Sequence, residues 1–156
     1  MTYMLDSNVC IDVIRKRSRL LVERIRARPV DDIAISAITL SELQHGVAKS
    51  SNPEKNRVAL LEFLVPFAVL PFDDVAARVY GEIRANLEAQ GTPIGPMDML
   101  IAAHALSRHL TLVTNNVVEF GRIQACRSRT GLPRSLCVRR VLPHTVDEES
   151  QGAHCT

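Results

Sequence analysis

The chain has 156 residues, of which 46% are hydrophobic and 23% are charged, a composition that suits one globular domain with a buried core. It has no apolar run near 18 residues and no basic-then-apolar leader, so we expect a cytoplasmic protein without a membrane span. The formal net charge of +2 permits nucleic-acid binding but does not indicate it.

Four cysteines occur in the chain, without a C-x-x-C pair and without a histidine at a zinc-finger spacing. They are Cys10, Cys126, Cys137 and Cys155. This spacing argues against a zinc site, and we expect free thiols in a reducing compartment.

Short apolar runs that alternate with helical patterns organise the chain. The four predicted strands are 3–5, 33–36, 67–70 and 111–114. Ser7 or Asn8 is predicted to cap a first helix that runs through Ile14. The other predicted helices run from Leu20 to Arg26, from Thr39 or Ser41 onward, from Pro53 to Leu64, from Asp73 to Gly91, and from Gly95-Pro96 to about Arg108. Strands that alternate with helices predict an α/β fold with a mainly parallel sheet covered on both faces.

Local signals set several of these helix boundaries. Thr39 and Glu42 have the T-x-x-E spacing of a capping box, which predicts a helix start there. Four apolar residues at steps of four predict one buried face of the helix that follows Asp73. They are Val75, Val79, Ile83 and Leu87.

Acidic side chains lie where predicted strands end or helices begin. Asp6 follows the first strand, Glu42 follows the second, and Asp98 lies in the first turn of a helix. Ligands of open parallel sheets bind beyond the carboxyl ends of the strands, and clustered carboxylates suit Mg²⁺ or Mn²⁺. Each acid alone is also explained as a helix cap or a dipole-compensating charge, and Asp73 and Asp74 occupy a similar position without suggesting a site.

Four blocks of sequence, in this order, resemble the PIN-domain ribonucleases, and most closely their VapC-like toxin branch. The blocks are MLDSN at 4–8, ISAITLSEL at 35–43, IGPMDMLIAAHAL at 94–106 and TLVTNNVVEF at 111–120. The resemblance covers residues 3–123, so we take 1–123 as a PIN-like catalytic domain. It implies a three-layer α/β/α sandwich and endonucleolytic, Mg²⁺- or Mn²⁺-dependent cleavage of RNA. It also implies a homodimer and a cognate antitoxin.

The resemblance carries site residues onto this chain position by position. Asp6 and Asp98 match the family's direct metal ligands, and Glu42 would complete the site directly or through water. Many members have a further acid where this chain has Asn116, which offers only a neutral oxygen. Glu119 is a supporting candidate in its place, and Thr114 either orients a carboxylate or caps the strand end.

Basic residues and histidines receive structural interpretations first. His104 is predicted to be structural and His45 to lie on the surface. An arginine-rich N-terminal region is either a solvated face or a phosphate contact beside the cleft. Its members are Arg15, Lys16, Arg17, Arg19, Arg24, Arg26 and Arg28.

Residues 124–156 depart from the family, whose members continue with a segment similar to G-L-P-V-E-D-W. Codons that encode Gln124 to Leu132 can be chosen so that a one-base shift gives G-L-P-V-E-D-W-A. We therefore hypothesise a frameshifted tail that leaves one sheet edge unpaired. Val138, Val141 and Leu142 are candidates for a replacement edge strand, and disorder is expected from about Pro143.

Two other functions remain open at this point. The first is a catalytically impaired PIN shell that binds an antitoxin or RNA, because Asn116 replaces an acid and the tail is divergent. The second is a receiver-like phosphoacceptor domain, which also gathers acids at strand ends. The absence of an acid pair at the end of the first strand argues against the second.

Overall fold

In the computed structural model, residues 1–125 and 138–140 are described, and they form one parallel sheet flanked by helices. The strands are β1 Tyr3–Leu5, β2 Ile33–Ser36, β3 Ala68–Leu70, β4 Thr111–Thr114 and β5 Val138–Arg140. The helices are α1 Ser7–Ile14, α2 Arg19–Arg26, α3 Ala37–Ala48, α4 Pro53–Leu64, α5 Asp74–Ala89, α6 Pro96–Ser107 and α7 Val117–Ala125, with a short 3₁₀ turn at Val30–Asp32.

The strand order is β3-β2-β1-β4-β5, and every adjacent pair is parallel. Met4 pairs with Ala34 on one side and with Leu112 on the other. The predicted α/β fold with a mainly parallel sheet is confirmed. Because β1 lies at the centre, Asp6 begins its helix near the middle of the carboxyl edge of the sheet.

Alternating side chains along the strands divide the core into two layers. Met4, Ala34 and Leu112 pack on one face with buried residues of α5, α6 and α7. Leu5 and Ile35 pack on the other face with buried residues of α1 to α4. Helices therefore cover both faces, which confirms the three-layer α/β/α sandwich.

At two helix starts, the capping residue differs from the one predicted. Asp6, and not Ser7 or Asn8, caps α1, because its carboxylate accepts the Ser7 amide. Ser36 caps α3 by accepting the Ile38 amide, so the helix begins at Ala37 rather than at Thr39 or Ser41.

The predicted capping box is also wrong, since Thr39 is wholly buried and its hydroxyl donates to the Leu5 carbonyl at 3.4 Å. A residue inside the helix and facing the sheet cannot serve as its cap.

Other boundaries agree with the sequence to within a residue or two. Strand β3 begins at Ala68 rather than at Phe67, and Asp73 caps α5. Gly91, at φ 66°, ends α5 in the left-handed conformation that glycine adopts without strain. Val75 is 44% exposed instead of buried, whereas the other three residues of its apolar series are buried.

Helix α7 was not predicted, and the edge of the sheet differs from expectation. Residues 138–140 pair in parallel with β4, with Val138 beside Leu112. The unpaired edge that we expected is therefore wrong, and the expected use of Val138 in an edge strand is confirmed. Val141, Leu142 and the predicted disorder after Pro143 lie outside the described residues.

Candidate active site

Asp6 is the most buried acid of the candidate site, with 1% of its surface exposed. One carboxylate oxygen accepts the Ser7 amide at 2.7 Å and the other accepts the Thr114 hydroxyl at 2.7 Å. Burial raises the pKa of Asp6 and the charge of Glu42 adds to the rise, while the two hydrogen bonds oppose it. A carboxylate with both oxygens directed by neighbours is held in one orientation.

Glu42 reaches the same region from the second turn of α3. The Ser7 hydroxyl donates a short hydrogen bond to the Glu42 carboxylate. Ser7 thus contacts two acids, since its amide donates to Asp6 and its hydroxyl donates to Glu42. The sequence placed Ser7 only as a possible cap, and its position directly after Asp6 was the one available signal.

Asp98 lies in the first turn of α6 and is half-buried. Burial, followed by the charges of Asp6, Glu42 and Glu119, raises its pKa to about 6. The side-chain amide of Asn116 donates to the Asp98 carboxylate at 3.3 Å, and this hydrogen bond opposes the rise in the pKa. The structure therefore brings Asp6, Glu42 and Glu119 close enough to Asp98 for their charges to raise its pKa.

Asp73 provides an internal comparison, because it too stands where a helix begins after a strand. Its pKa is lowered by the Ala76 amide that it caps and by the charge of Arg108. Asp98 shows the opposite shift because its surroundings are acidic and partly desolvated. Position along the chain did not separate these two acids, whereas the charge around each one does.

Glu119 approaches from α7, where it forms an ion pair of 3.5 Å with Arg122. Arg122 also donates to the Pro93 carbonyl at 3.1 Å, in the loop before α6. Thr114 is wholly buried. Its hydroxyl accepts the backbone amide of Asn116 at 2.9 Å and donates to Asp6. The supporting residues thus connect α7 and the end of β4 to Asp6 and Asp98.

The chemistry of this donor set fits a hard divalent cation such as Mg²⁺ or Mn²⁺, because its charged groups are all carboxylates. Within the described part of the chain, no three His, Cys, Asp or Glu side chains are grouped tightly enough, as they stand, to hold a metal ion. The carboxylates are instead occupied by hydrogen bonds from Ser7, Thr114 and Asn116. A cation would have to displace these donors from the carboxylates or bind the carboxylates through water molecules.

His104 and Cys10 lie outside the acidic cluster. His104 is fully buried, and its Nδ1 atom lies 2.8 Å from the Ser36 hydroxyl, which agrees with its predicted structural role. Cys10 is a free, buried thiol whose pKa is raised by burial and by Asp6. His45 is exposed, as predicted.

The arginine-rich region is exposed throughout. No helix in the described residues is both long and apolar enough to cross a membrane.

A family profile described as PIN domain matches residues 3–124. A Shigella flexneri protein named tRNA(fMet)-specific endonuclease VapC is 42% identical over 81% of this chain and 95% of its own. A Rickettsia felis protein named Ribonuclease VapC2 is 43% identical over 79% of this chain and 92% of its own. By fold, Salmonella typhimurium VapBC bound to DNA matches with a TM-score of 0.79 and 38% identity, over 90% of this chain and 98% of that one.

These matches cover most of the chain, and the two named relatives are more than 40% identical to it. The chain belongs to the PIN domain family, and within that family to the VapC ribonucleases. The predicted family is thereby confirmed, and the receiver-like alternative is set aside.

Proposed function

We propose that the chain is an Mg²⁺- or Mn²⁺-dependent endoribonuclease that serves as the toxin of a toxin–antitoxin pair. One observation carries the proposal: Asp98 is half-buried beside Asp6, Glu42 and Glu119, and burial together with these three charges raises its pKa to about 6. Like charges gathered in a partly buried cleft cost free energy unless a cation joins them. Membership of the VapC ribonucleases supplies the class of reaction.

The roles of the acids follow from their surroundings. Asp6 and Asp98 would hold the cation, since each lies in the cleft with its orientation fixed by a hydrogen bond. Glu42 would complete the site directly or through water, and Glu119 would support it from α7. When bound, the cation polarises the scissile phosphate and lowers the pKa of its bound water.

Isosteric removal of one cleft charge tests this proposal. Asp98→Asn and Asp6→Asn should each lower RNA cleavage by about 100-fold or more, in the range seen when a charge-stabilising group is lost. Asp73→Asn is the matched control, because it neutralises an acid at another helix start and should retain cleavage. Equal activity in Asp98→Asn and Asp73→Asn would contradict the assignment.

Initiator transfer RNA is the substrate that we propose to test first. The Shigella flexneri relative is named as specific for tRNA(fMet), and it is 42% identical to this chain over most of both lengths. With Mg²⁺ present, the chain should cleave initiator transfer RNA and leave the elongator methionine transfer RNA intact. Equal cleavage of both would remove this substrate assignment while leaving the nuclease assignment in place.

A catalytically impaired shell is the alternative, favoured by the neutral Asn116 amide that donates to Asp98 where many family members carry an acid. It predicts Mn²⁺ binding without RNA cleavage. Asn116→Asp distinguishes the two functions: it should restore cleavage to an impaired site, but alter an active one by less than the loss of Asp98.

The proposed antitoxin has a groove available beside the acids. It has a volume of about 130 Å³ and lies between α1, α3 and α4, with Glu42 in its wall. Its apolar lining includes Ile11, Ile14, Val47 and Leu60, and polar residues line the rest. An apolar segment of the antitoxin would fill this groove and place an arginine at the carboxylates, where a planar guanidinium binds two oxygens and competes with metal.

A charge placed in the groove tests the antitoxin proposal. Val47→Asp should weaken the complex with the co-expressed antitoxin while the free chain still cleaves RNA. Val75→Asp is the control, because Val75 is exposed on α5 and does not line the groove. Unchanged complex formation by Val47→Asp would contradict the groove as the antitoxin site.

We also propose a homodimer, as the family resemblance implies. Sedimentation equilibrium at micromolar concentration should give twice the mass of the 17.3 kDa chain. A monomer under these conditions would refute it.

A further inference from the structure

The segment Thr114–Asn116, at the end of β4 and before α7, orients two of the cleft acids. The Thr114 hydroxyl donates to Asp6 at 2.7 Å, and two residues later the Asn116 amide donates to Asp98 at 3.3 Å. The segment is also bonded internally, since the backbone amide of Asn116 donates to the Thr114 hydroxyl at 2.9 Å. Its placement therefore decides how both acids face the cleft.

Asn115, the residue between these two, points to a different acid. Its side-chain amide donates to Asp12 at 3.3 Å, and Arg17 contacts the other oxygen of Asp12 at 3.4 Å. The Asn115 bond is exposed and joins the segment to an acid that is not one of the four candidate acids.

Asp12 and Asp6 are connected through one rigid helix. Asp6 caps α1, and Asp12 lies inside the same helix, about 9 Å further along at a rise of about 1.5 Å per residue. The segment Thr114–Asn116 is therefore attached at two points, through Thr114 to Asp6, the cap of α1, and through Asn115 to Asp12, inside α1. One attachment leaves a pivot, whereas two attachments prevent rotation about it.

We propose that Asn115, held by Asp12, is a positioning residue for the candidate active site. The hydrogen bond between Asn115 and Asp12, called the clamp below, fixes the rotation of the segment Thr114–Asn116. Thr114 and Asn116 then present Asp6 and Asp98 in the orientation that metal binding needs. Arg17 contacts Oδ1 of Asp12, and Oδ2 is the atom that accepts from Asn115. The inference rests on the proposed metal-dependent nuclease function and adds Asn115, Asp12 and Arg17 to its residues.

The simpler explanation is an exposed polar contact of no consequence, since many surface pairs contribute little. A double-mutant cycle separates the two explanations. Asn115→Ala and Asp12→Ala each remove the same bond, so the double variant should be no worse than the more affected single variant. The charge lost with Asp12 is common to both halves of the cycle and cancels.

Two readouts apply to the cycle. Asn115→Ala should raise the Mn²⁺ dissociation constant, measured by paramagnetic resonance of free Mn²⁺, by about three- to tenfold, in keeping with the loss of one hydrogen bond. The kcat for initiator transfer RNA should fall by a similar factor with KM unchanged, because the RNA-binding surface is not altered. Arg78→Ala, which breaks an exposed ion pair on α5, is the control and should change neither.

Additive effects in the cycle, or an Asn115→Ala variant that behaves as Arg78→Ala does, would overturn the proposal. A third readout keeps it separate from the proposed function. In metal-free protein, the Asn116 backbone amide should exchange its hydrogen faster in Asn115→Ala than in the wild type. If the wild type neither binds Mn²⁺ nor cleaves RNA, the proposed function fails. If the Asn116 backbone amide exchanges at the same rate in Asn115→Ala and in the wild type, the clamp is overturned as well.

Discussion

At the scale of single residues, the surroundings of each acid separate the site from the caps. Asp73 and Asp98 both stand at helix starts, yet one has a lowered pKa and the other a raised one. The first is stabilised as an anion by an amide and an arginine, and the second is opposed by burial and three carboxylates. Opposite signs of the shift have opposite consequences for stability.

Asp98→Asn should therefore stabilise the metal-free protein at neutral pH. The folded pKa of about 6 lies above the ordinary value of 3.8, so the acid favours folding below pH 4 and loses this contribution as the pH rises through 6. The melting temperature of Asp98→Asn should exceed that of the wild type above pH 6, with a difference that narrows toward pH 4. The measurement is a series of thermal melts in a chelator.

Asp73→Asn should show the reverse dependence. Its folded pKa is lowered, so it contributes stability above its ordinary pKa that is lost as the pH falls. The variant should melt slightly below the wild type at pH 7, by a small margin because asparagine also caps helices well. Equal behaviour of the two variants would contradict the assigned surroundings.

At the scale of elements, a buried hydrogen bond connects the two helices that carry Glu42 and Asp98. The His104 Nδ1 atom on α6 lies 2.8 Å from the hydroxyl of Ser36, the cap of α3. The Nε2 atom finds no hydrogen-bond partner among the described residues. Burial and the charge of Arg108 lower the pKa of His104, although Asp73 and the Pro71 carbonyl oppose this.

His104→Ala should destabilise the protein by about 2–4 kcal/mol, because it leaves a cavity and removes the partner of Ser36. The lowered pKa means that neutral His104 contributes stability above its ordinary value of 6.5 and that this is lost as the pH falls. The difference from the wild type should thus be larger at pH 7.5 than at pH 5. Urea unfolding at the two pH values measures it, and a constant difference would contradict the buried neutral ring.

At the scale of the whole molecule, metal should act on stability through the cleft. Millimolar Mn²⁺ should raise the melting temperature of the wild type, because a cation that binds only the folded state stabilises it by mass action. The rise should be absent or much smaller in Asp98→Asn and retained in Asp73→Asn. No shift in the wild type, or an equal shift in Asp98→Asn, would count against the metal site.

The edge strand β5 gives a second prediction at this scale. A chain that ends after Ala125 keeps every candidate acid but exposes the outer edge of β4. It should melt at a lower temperature and associate more readily, since an unpaired edge is a template for other strands. Mn²⁺ binding should persist in that shortened chain.

The frameshift hypothesis is separate, and the DNA sequence of the gene tests it. Codons that cannot give G-L-P-V-E-D-W-A in a shifted reading frame would contradict the hypothesis.

The sequence by itself determined the alternation of strands and helices, most element boundaries and three candidate ligands. Apolar periodicity and helix-end chemistry are local, so they can be detected along the chain. Thr39 is buried and is not a cap, and Val75 is exposed although it belongs to the apolar series of α5. Both differences arise because tertiary packing, and not spacing, decides which face of a helix is covered. The helix α7 was missed because its nine residues, VVEFGRIQA, are too few for a long apolar period to be detected.

Only the tertiary structure decided which acids meet and which side chains hold them. The contacts of Ser7 with Glu42, of Asn115 with Asp12, and of His104 with Ser36 join residues 35, 103 and 68 positions apart. Parallel strands bring such distant positions to one edge of the sheet, and no local pattern records which of them will touch. The acid at Asp73 and the acid at Asp98 looked alike in the sequence. They differ because folding gives Asp73 an amide donor and Arg108, whereas it partly buries Asp98 among carboxylates.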